Sequence, residues 1–404
     1  MDWIEQFVEV TEGTSAPERF RLWSAITAVA GALERRVYAR TSLGVLYPNL
    51  YVMLVAKPGV GKTEAVRPVE QILTQMSKLF VAPESMTKAA LVDTLADSHR
   101  QIIPTRPGDE LYEYHSLFIA VSELGTLVTA HDLEFLSVVN RVFDNGKSFR
   151  ERRRHVNNGK EIQIIHPQLN ILAGAQPGFL ASILPEEAWL MGFTSRFIMI
   201  YAEDGPQIDL FGPTMNRDPH YKSLAQQLEP WTEYMGPCVW EDEAVAIMRE
   251  IGQGQGQNLT PIPDHPKLES YRTRRVQFLI KLSIISTVSR TGTLSIGPLD
   301  VTRAKRWLLD AESTMPGIFK GMSIKTDAQV LNEFHIWMWK KWRQDKQPIP
   351  QSEIYQFLGE RVYSERVAKL VEVAVKGRLM IEKGMDLYQP VPRLDWTTTP
   401  SGNA

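Results

Sequence analysis

Val52-Met53-Leu54-Val55-Ala56-Lys57-Pro58-Gly59-Val60-Gly61-Lys62-Thr63 is an apolar run that enters a glycine-bearing turn ending in Gly-Lys-Thr. The run fits a buried strand, and the residues that follow fit the opening of a helix. A turn built on Gly59 and Gly61 lets successive backbone N–H groups point inward at phosphate oxygens, at the positive end of that helix. Pro58, Gly59, Val60, Gly61, Lys62 and Thr63 are therefore the candidate phosphate-binding residues. Lys62 would reach the β- and γ-phosphates, and the Thr63 hydroxyl would be a ligand of Mg²⁺. Ala56 stands where the pattern usually has glycine.

Outward from this turn the same periodicities continue. Phe20, Trp23, Ile26, Val29 and Leu33 recur at helical spacing ahead of it, and Val66, Val69, Ile72, Leu73 and Met76 predict a helix over 64–80 behind it. Three more apolar runs, 116–123, 169–175 and 198–202, predict buried strands. Strand, helix and strand in that order predict an α/β core with a doubly wound parallel sheet over 46–205, behind a helical lead-in at 1–45. A Pro/Gly-rich stretch then introduces mostly helical patterns, which predicts an α-helical lid over 206–320. Over 325–391, three helical patterns followed by a hairpin with a Lys383-Gly384 turn predict a C-terminal winged helix, and 392–404 reads as a disordered tail.

Composition narrows the options. The chain has 404 residues, 43% apolar and 23% charged, so it can bury a sizeable core. A single cysteine, Cys238, allows neither an intrachain disulfide nor a thiolate metal cluster, which makes a reducing cytoplasm the expected compartment. Neither a signal-peptide pattern at Met1-Asp2-Trp3-Ile4-Glu5 nor an apolar run near eighteen residues is present, so no membrane partner is expected. With a net charge of -2, any nucleic-acid binding must come from a local basic patch.

The residues at the strand ends carry a family likeness. Ser122-Glu123 follows the second apolar run, Ala173-Gly174-Ala175-Gln176-Pro177 closes the third, and Ser195-Arg196-Phe197 opens the fourth. In this order they resemble an AAA+ ATPase, and more narrowly the minichromosome-maintenance-like and phage or plasmid replicative helicases. The resemblance covers about residues 15 to 310 and implies ATP and Mg²⁺ as cofactors. It implies that Glu123 polarises the attacking water and that Ser122, in place of the usual Asp, holds Mg²⁺ through a water. Gln176 takes the position of the Asn that senses the γ-phosphate. Arg196 is implied as the finger that reaches a neighbouring subunit's ATP. The segment 274–282 is similar to the family's lid helix and implies Arg274 as the second sensor, although Arg272 and Arg275 lie close by.

Lys147, Arg150, Arg152, Arg153, Arg154 and Lys160 crowd around Asn157-Asn158-Gly159, a hairpin turn signal. In ring-shaped DNA motors of the group, a hairpin here grips the strand in the central channel. Arg152, Arg153, Arg154 and Lys160 are thus the candidate DNA-binding residues, giving salt-dependent and sequence-tolerant contact. The reading is an ATP-driven helicase or translocase, a homo-oligomeric, hexameric ring on single-stranded DNA, encoded by a phage or mobile element and working in the host cytoplasm. No primase chemistry is visible, so a primase or polymerase partner would be separate. A helicase loader or initiator switch, and a protein remodeller, are the competing readings.

Overall fold

The computed structural model describes residues 2–392 apart from 43, 103–110, 129–131, 145–147, 153–160, 185–191, 210, 213–214, 254–261, 264, 323–326, 360–361 and 363. The fold is α/β with mixed sheets, and the chain divides into two compact units, Met1–Phe319 and Lys320–Ala404.

In the first unit, helices α1 (Trp3–Val10) and α2 (Glu18–Leu33) precede a hairpin of β1 (Val37–Thr41) and β2 (Gly44–Leu46). Strand β3 (Tyr51–Val55) then leads into α3 (Lys62–Thr74), followed by α4 (Lys88–Asp97), β4 (His99–Ile102), β5 (Tyr112–Val121) and α5 (Leu133–Phe143). A second hairpin, β6 (Phe149–Arg152) and β7 (Glu161–Ile164), leads to β8 (Pro167–Ala175), α6 (Pro177–Ile183) and β9 (Phe197–Tyr201).

The central sheet has the order β4-β5-β8-β3-β9. Three of its four strand pairings are parallel, and at the edge β4 runs antiparallel to β5. All residues of β3 and β8 are buried, as strands covered on both faces must be. Successive strand residues face opposite sides. Phe118 lies against Gly31 of α2, whereas Tyr51, on the other face, packs against Phe143 of α5 with ring centroids 4.8 Å apart and planes tilted by 59°. Helices α2 and α5 therefore cover opposite faces.

Connections leave the two central strands in opposite directions. From β3 the chain passes through α3 to the far side of β5, where Phe80–Ala82 runs parallel along it (Ala82 N to Phe118 O 2.8 Å), before β5 itself. From β8 the chain crosses over β3 to β9. The crevice beyond the carboxyl ends of β3 and β8 is thus a topological switch point, where open α/β sheets bind ligands.

The helix after the phosphate turn ends at Thr74 rather than near 80, although Met76 remains buried as its spacing predicts. Residues 206–320 are mostly helical, with helices Asp218–Leu228, Asp242–Gln253, Arg275–Thr291 and Pro298–Met322. They belong to the same compact unit as the sheet up to Phe319. Arg275–Thr291 is enclosed from Phe278 to Ser289 and packs on α2.

The second unit contains helices Asp327–Asp345, Gln351–Gly359 and Ser364–Lys376 and a three-stranded sheet of Ile349–Pro350, Leu387–Pro390 and Met380–Gly384. Val330, Phe334, Met338, Ile354, Leu358, Leu370, Ala374 and Met380 form its core. The expected tail lies outside the described residues from 393 on. Among the described residues no helix is long and apolar enough to cross a membrane.

Candidate nucleotide site

The turn after β3 is held from behind by the segment preceding α2. Gly61 has φ +70°, and a Cβ there would lie 2.2 Å from the Ser15 carbonyl oxygen, so only glycine meets both demands. Gly61 is also the N-cap of α3, and no side chain caps that helix. Its first N–H groups and its positive end therefore face the turn, which suits an anion. Thr63, in the first turn, is exposed beside them.

Lys62 is 5% exposed, and its Nζ donates to the carbonyls of Ala56 and Lys57, both at 3.1 Å. The ammonium is thereby folded over the turn it would serve. Burial lowers its pKa, against the opposing pull of Glu123, whose Oε1 lies 3.8 Å away. Gln176 Nε2 donates to the same Glu123 oxygen at 3.4 Å. Lys62, Glu123 and Gln176 thus converge from three neighbouring strand ends. Ser122 lies beside them, and its carbonyl oxygen would be 2.1 Å from a Cβ on Gly174. Glycine at 174 is what lets β5 and β8 deliver these groups to one point.

Residues that fit a magnesium nucleotide are therefore present: uncapped helical N–H groups, a buried ammonium, a hydroxyl at the helix start, a carboxylate and an amide. Pro58 and Gly59 are exposed on the rim of the turn, and Val60 is buried beneath it.

Arg196 and Arg274 do not join this group. Phe197 pairs with Tyr51 at the amino end of β3, and Tyr201 pairs with Val55 at the carboxyl end, so Arg196 lies about 13 Å of strand away from the turn. Arg196 donates to the Gly192 carbonyl at 2.7 Å and to Asp144. Arg274 donates to the two oxygens of the same carboxylate at 2.7 and 3.4 Å. Both candidate arginines therefore share one counter-ion at the amino end of the sheet. Burial raises the Asp144 carboxyl, but hydrogen bonds from Arg274 and Arg196 outweigh it and hold the group below the usual carboxylate range.

Beneath this pair lies Lys281, fully buried, donating to the Asn49 carbonyl and side chain at 3.0 and 2.8 Å and sitting 4.1 Å over the Phe143 ring. Burial lowers its pKa to about 7, with Asp144 pulling it up and Arg274 pushing it further down. Asp144, Phe143, Asn49 and Lys281 escaped the sequence reading. The only cue was an Asp directly after an amphipathic helix, since its arginine partners stand 52 and 130 residues further on.

The β6–β7 ladder pairs Arg152 with Glu161 and Arg150 with Gln163, and it leaves from the amino end of β8. The backbone of Arg152 belongs to this ladder, whereas Arg153, Arg154 and Lys160 lie outside the described residues. Three histidines gather at the ladder's base. His115 Nδ1 lies 3.0 Å from the Ile165 nitrogen, His166 Nδ1 lies 3.0 Å from the Glu113 carbonyl, and the His99 ring lies 5.1 Å from His115. Among the described residues no group of His, Cys, Asp and Glu could hold a metal ion by protein ligands alone. A scan against protein-family models and a search of curated proteins both return no match.

Proposed function

We propose that the chain is an AAA+ ATPase with an α-helical lid and a C-terminal winged helix, acting as a homo-oligomeric ring on single-stranded DNA. ATP and Mg²⁺ would occupy a cleft shared by two copies. One copy supplies Pro58 to Thr63, Ser122, Glu123 and Gln176, and the next supplies Arg196 and Arg274. The observation that carries this reading is the split: the candidate phosphate-binding groups and the candidate arginines stand at opposite ends of one sheet. Within one copy they are too far apart to share a phosphate, whereas head-to-tail neighbours would bring them together.

The chain's own groups then have distinct tasks. Bound ATP supplies the phosphoryl group, and its Mg²⁺ neutralises charge on the phosphate oxygens. Backbone N–H groups of the turn and the start of α3 cradle those oxygens, and Lys62 leaves its carbonyl partners for them. Glu123 orients the attacking water and draws off its proton, and Gln176 keeps the carboxylate in place. The neighbour's Arg196 meets charge gathering on the transferred group, a contribution worth about 10³- to 10⁵-fold in rate. The β6–β7 ladder, with its basic residues, supports a strand-gripping role at the end of the sheet where Arg196 lies.

Ser122, a neutral side chain where the family has a carboxylate, favours a second reading as a slow loader or initiator switch. Turnover separates the two. A motor's ATP hydrolysis rises on adding single-stranded DNA and is lost in Lys62→Ala, whereas a switch binds ATP and DNA without sustained turnover. Hydrolysis that survives Lys62→Ala would remove the site altogether.

A further inference from the structure

The helix Asp327–Asp345 buries one face, Val330, Phe334 and Met338, in the core of the second unit. Its last two turns carry something else. Residues 339–346 read Trp-Lys-Lys-Trp-Arg-Gln-Asp-Lys, four cations against one anion in a chain whose net charge is -2. Trp339 and Trp342 are partly exposed, and their rings stack with centroids 5.4 Å apart at 24°. The Arg343 guanidinium lies 5.8 Å over the Trp339 ring, and the Lys346 ammonium lies 4.9 Å over Trp342. Lys341 is taken by Glu353. Among the described residues no carboxylate pairs with Lys340, Arg343 or Lys346, and all three are exposed.

The Ser364–Lys376 helix offers less. Arg366 is paired with Asp327 and Lys376 with Glu372, so two of its three cations are neutralised within the unit. Electrostatic attraction for a polyanion is therefore stronger at the end of the first helix than along the third.

We propose that Trp339, Trp342, Lys340, Arg343 and Lys346 form a platform for single-stranded nucleic acid. Indoles offer π-faces to unpaired bases, and cations beside them take the flanking phosphates. Arg343 and Lys346 now rest over the rings. On binding they turn to phosphate and a base stacks in their place. A base in a duplex keeps its faces against its neighbours, so the platform selects unpaired strands. This gives the strand of the proposed function a second contact, and it rests on that reading only for the polyanion, since it requires no ATP chemistry.

The test measures binding of full-length protein to a labelled thymidine homopolymer and to an abasic oligonucleotide of equal length, without nucleotide. Trp339→Ala/Trp342→Ala is expected to weaken binding of the base-bearing strand about five- to hundredfold, and to leave the abasic strand unaffected. Trp339→Phe/Trp342→Phe retains ring faces and is expected to keep most of the affinity. Arg343→Gln/Lys346→Gln is expected to flatten the slope of log affinity against log salt by about 1.4. Equal loss on both oligonucleotides marks the indoles as packing residues and overturns the platform. Unchanged binding in all variants overturns it too, and points to a protein-facing surface. Wild-type protein that binds no strand would sink the proposed function as well, whereas binding that is indifferent to these four substituted residues sinks the platform alone.

Discussion

Asp144→Asn isolates the charge that holds Arg196 and Arg274 together. The substitution keeps the size of the side chain and one acceptor oxygen, but removes the counter-ion of two guanidinium groups that are only 12% and 17% exposed. Breaking a fully buried pair costs about 3–5 kcal/mol, and an exposed pair is worth about 0–1 kcal/mol. Asp144 is 45% exposed, so screening brings the expected loss to about 1–2 kcal/mol. Spread over the unit Met1–Phe319, with roughly 2.1 cal/mol/K of unfolding entropy per residue, that loss lowers Tm by about 1.5–3 °C. The pH dependence has a definite sign. The folded carboxyl is held below its ordinary range, so its stabilisation is present above about pH 4 and lost as pH falls through the folded value. The gap between wild type and Asp144→Asn should therefore be constant from pH 6 to neutrality and close under acid. Urea unfolding of wild type, Asp144→Asn, Arg274→Gln and the double variant measures it, with a coupling of about 1 kcal/mol expected between the two sites. Equal stability at neutral pH, or strict additivity, would refute the shared counter-ion.

Other expectations follow from the same geometry. Lys62→Ala should abolish ATP turnover, whereas Arg196→Ala should abolish turnover but retain ATP binding, measured by steady-state hydrolysis beside titration with a fluorescent ATP analogue. Gly174→Ala places a Cβ 2.1 Å from the Ser122 carbonyl, so β5 and β8 must separate. It should lower both Tm and ATP affinity, and a variant with wild-type values of both would disprove the close approach. Lys281 binds its proton less tightly folded than unfolded, so between pH 7 and about 10 stability should rise with pH by up to about 1.4 kcal/mol per unit from this group. Lys281→Met should lose that rise, visible as a flatter dependence of urea midpoint on pH.

How much was legible depended on whether a residue's role is set locally. The strands at 52–55, 169–175 and 198–201 announce themselves as continuous apolar runs, because parallel strands covered on both faces have no polar side to show. Lys62 could be named from the glycine-bearing turn that it closes after such a run, and Glu123 and Gln176 from strand ends that resemble those of a known family. Ser15 against Gly61 could not, since no pattern at either position signals a contact made by a backbone carbonyl. Asp144 met the same limit, its partners being fixed by tertiary packing. The inclusion of 206–319 in the first unit was hidden for a related reason. Helical periodicity reveals a helix but not what buries it, and Lys281 and Arg275 look like solvated cations until Asn49 and Glu312 are brought to them. The Trp339–Lys346 segment is plain in the sequence, yet that its tryptophans lie outside the core emerges only once Val330, Phe334 and Met338 are seen to fill it.

The claim that one cleft is built from two copies is tested most directly by mixing two inactive variants. Lys62→Ala lacks the phosphate-binding ammonium but carries an intact Arg196, and Arg196→Ala carries the reverse. Equimolar mixing with single-stranded DNA should restore part of the ATP turnover, because some boundaries then combine the intact half of each. Turnover that stays at the level of the separate variants, in mixtures shown by light scattering to co-assemble, would contradict the shared site.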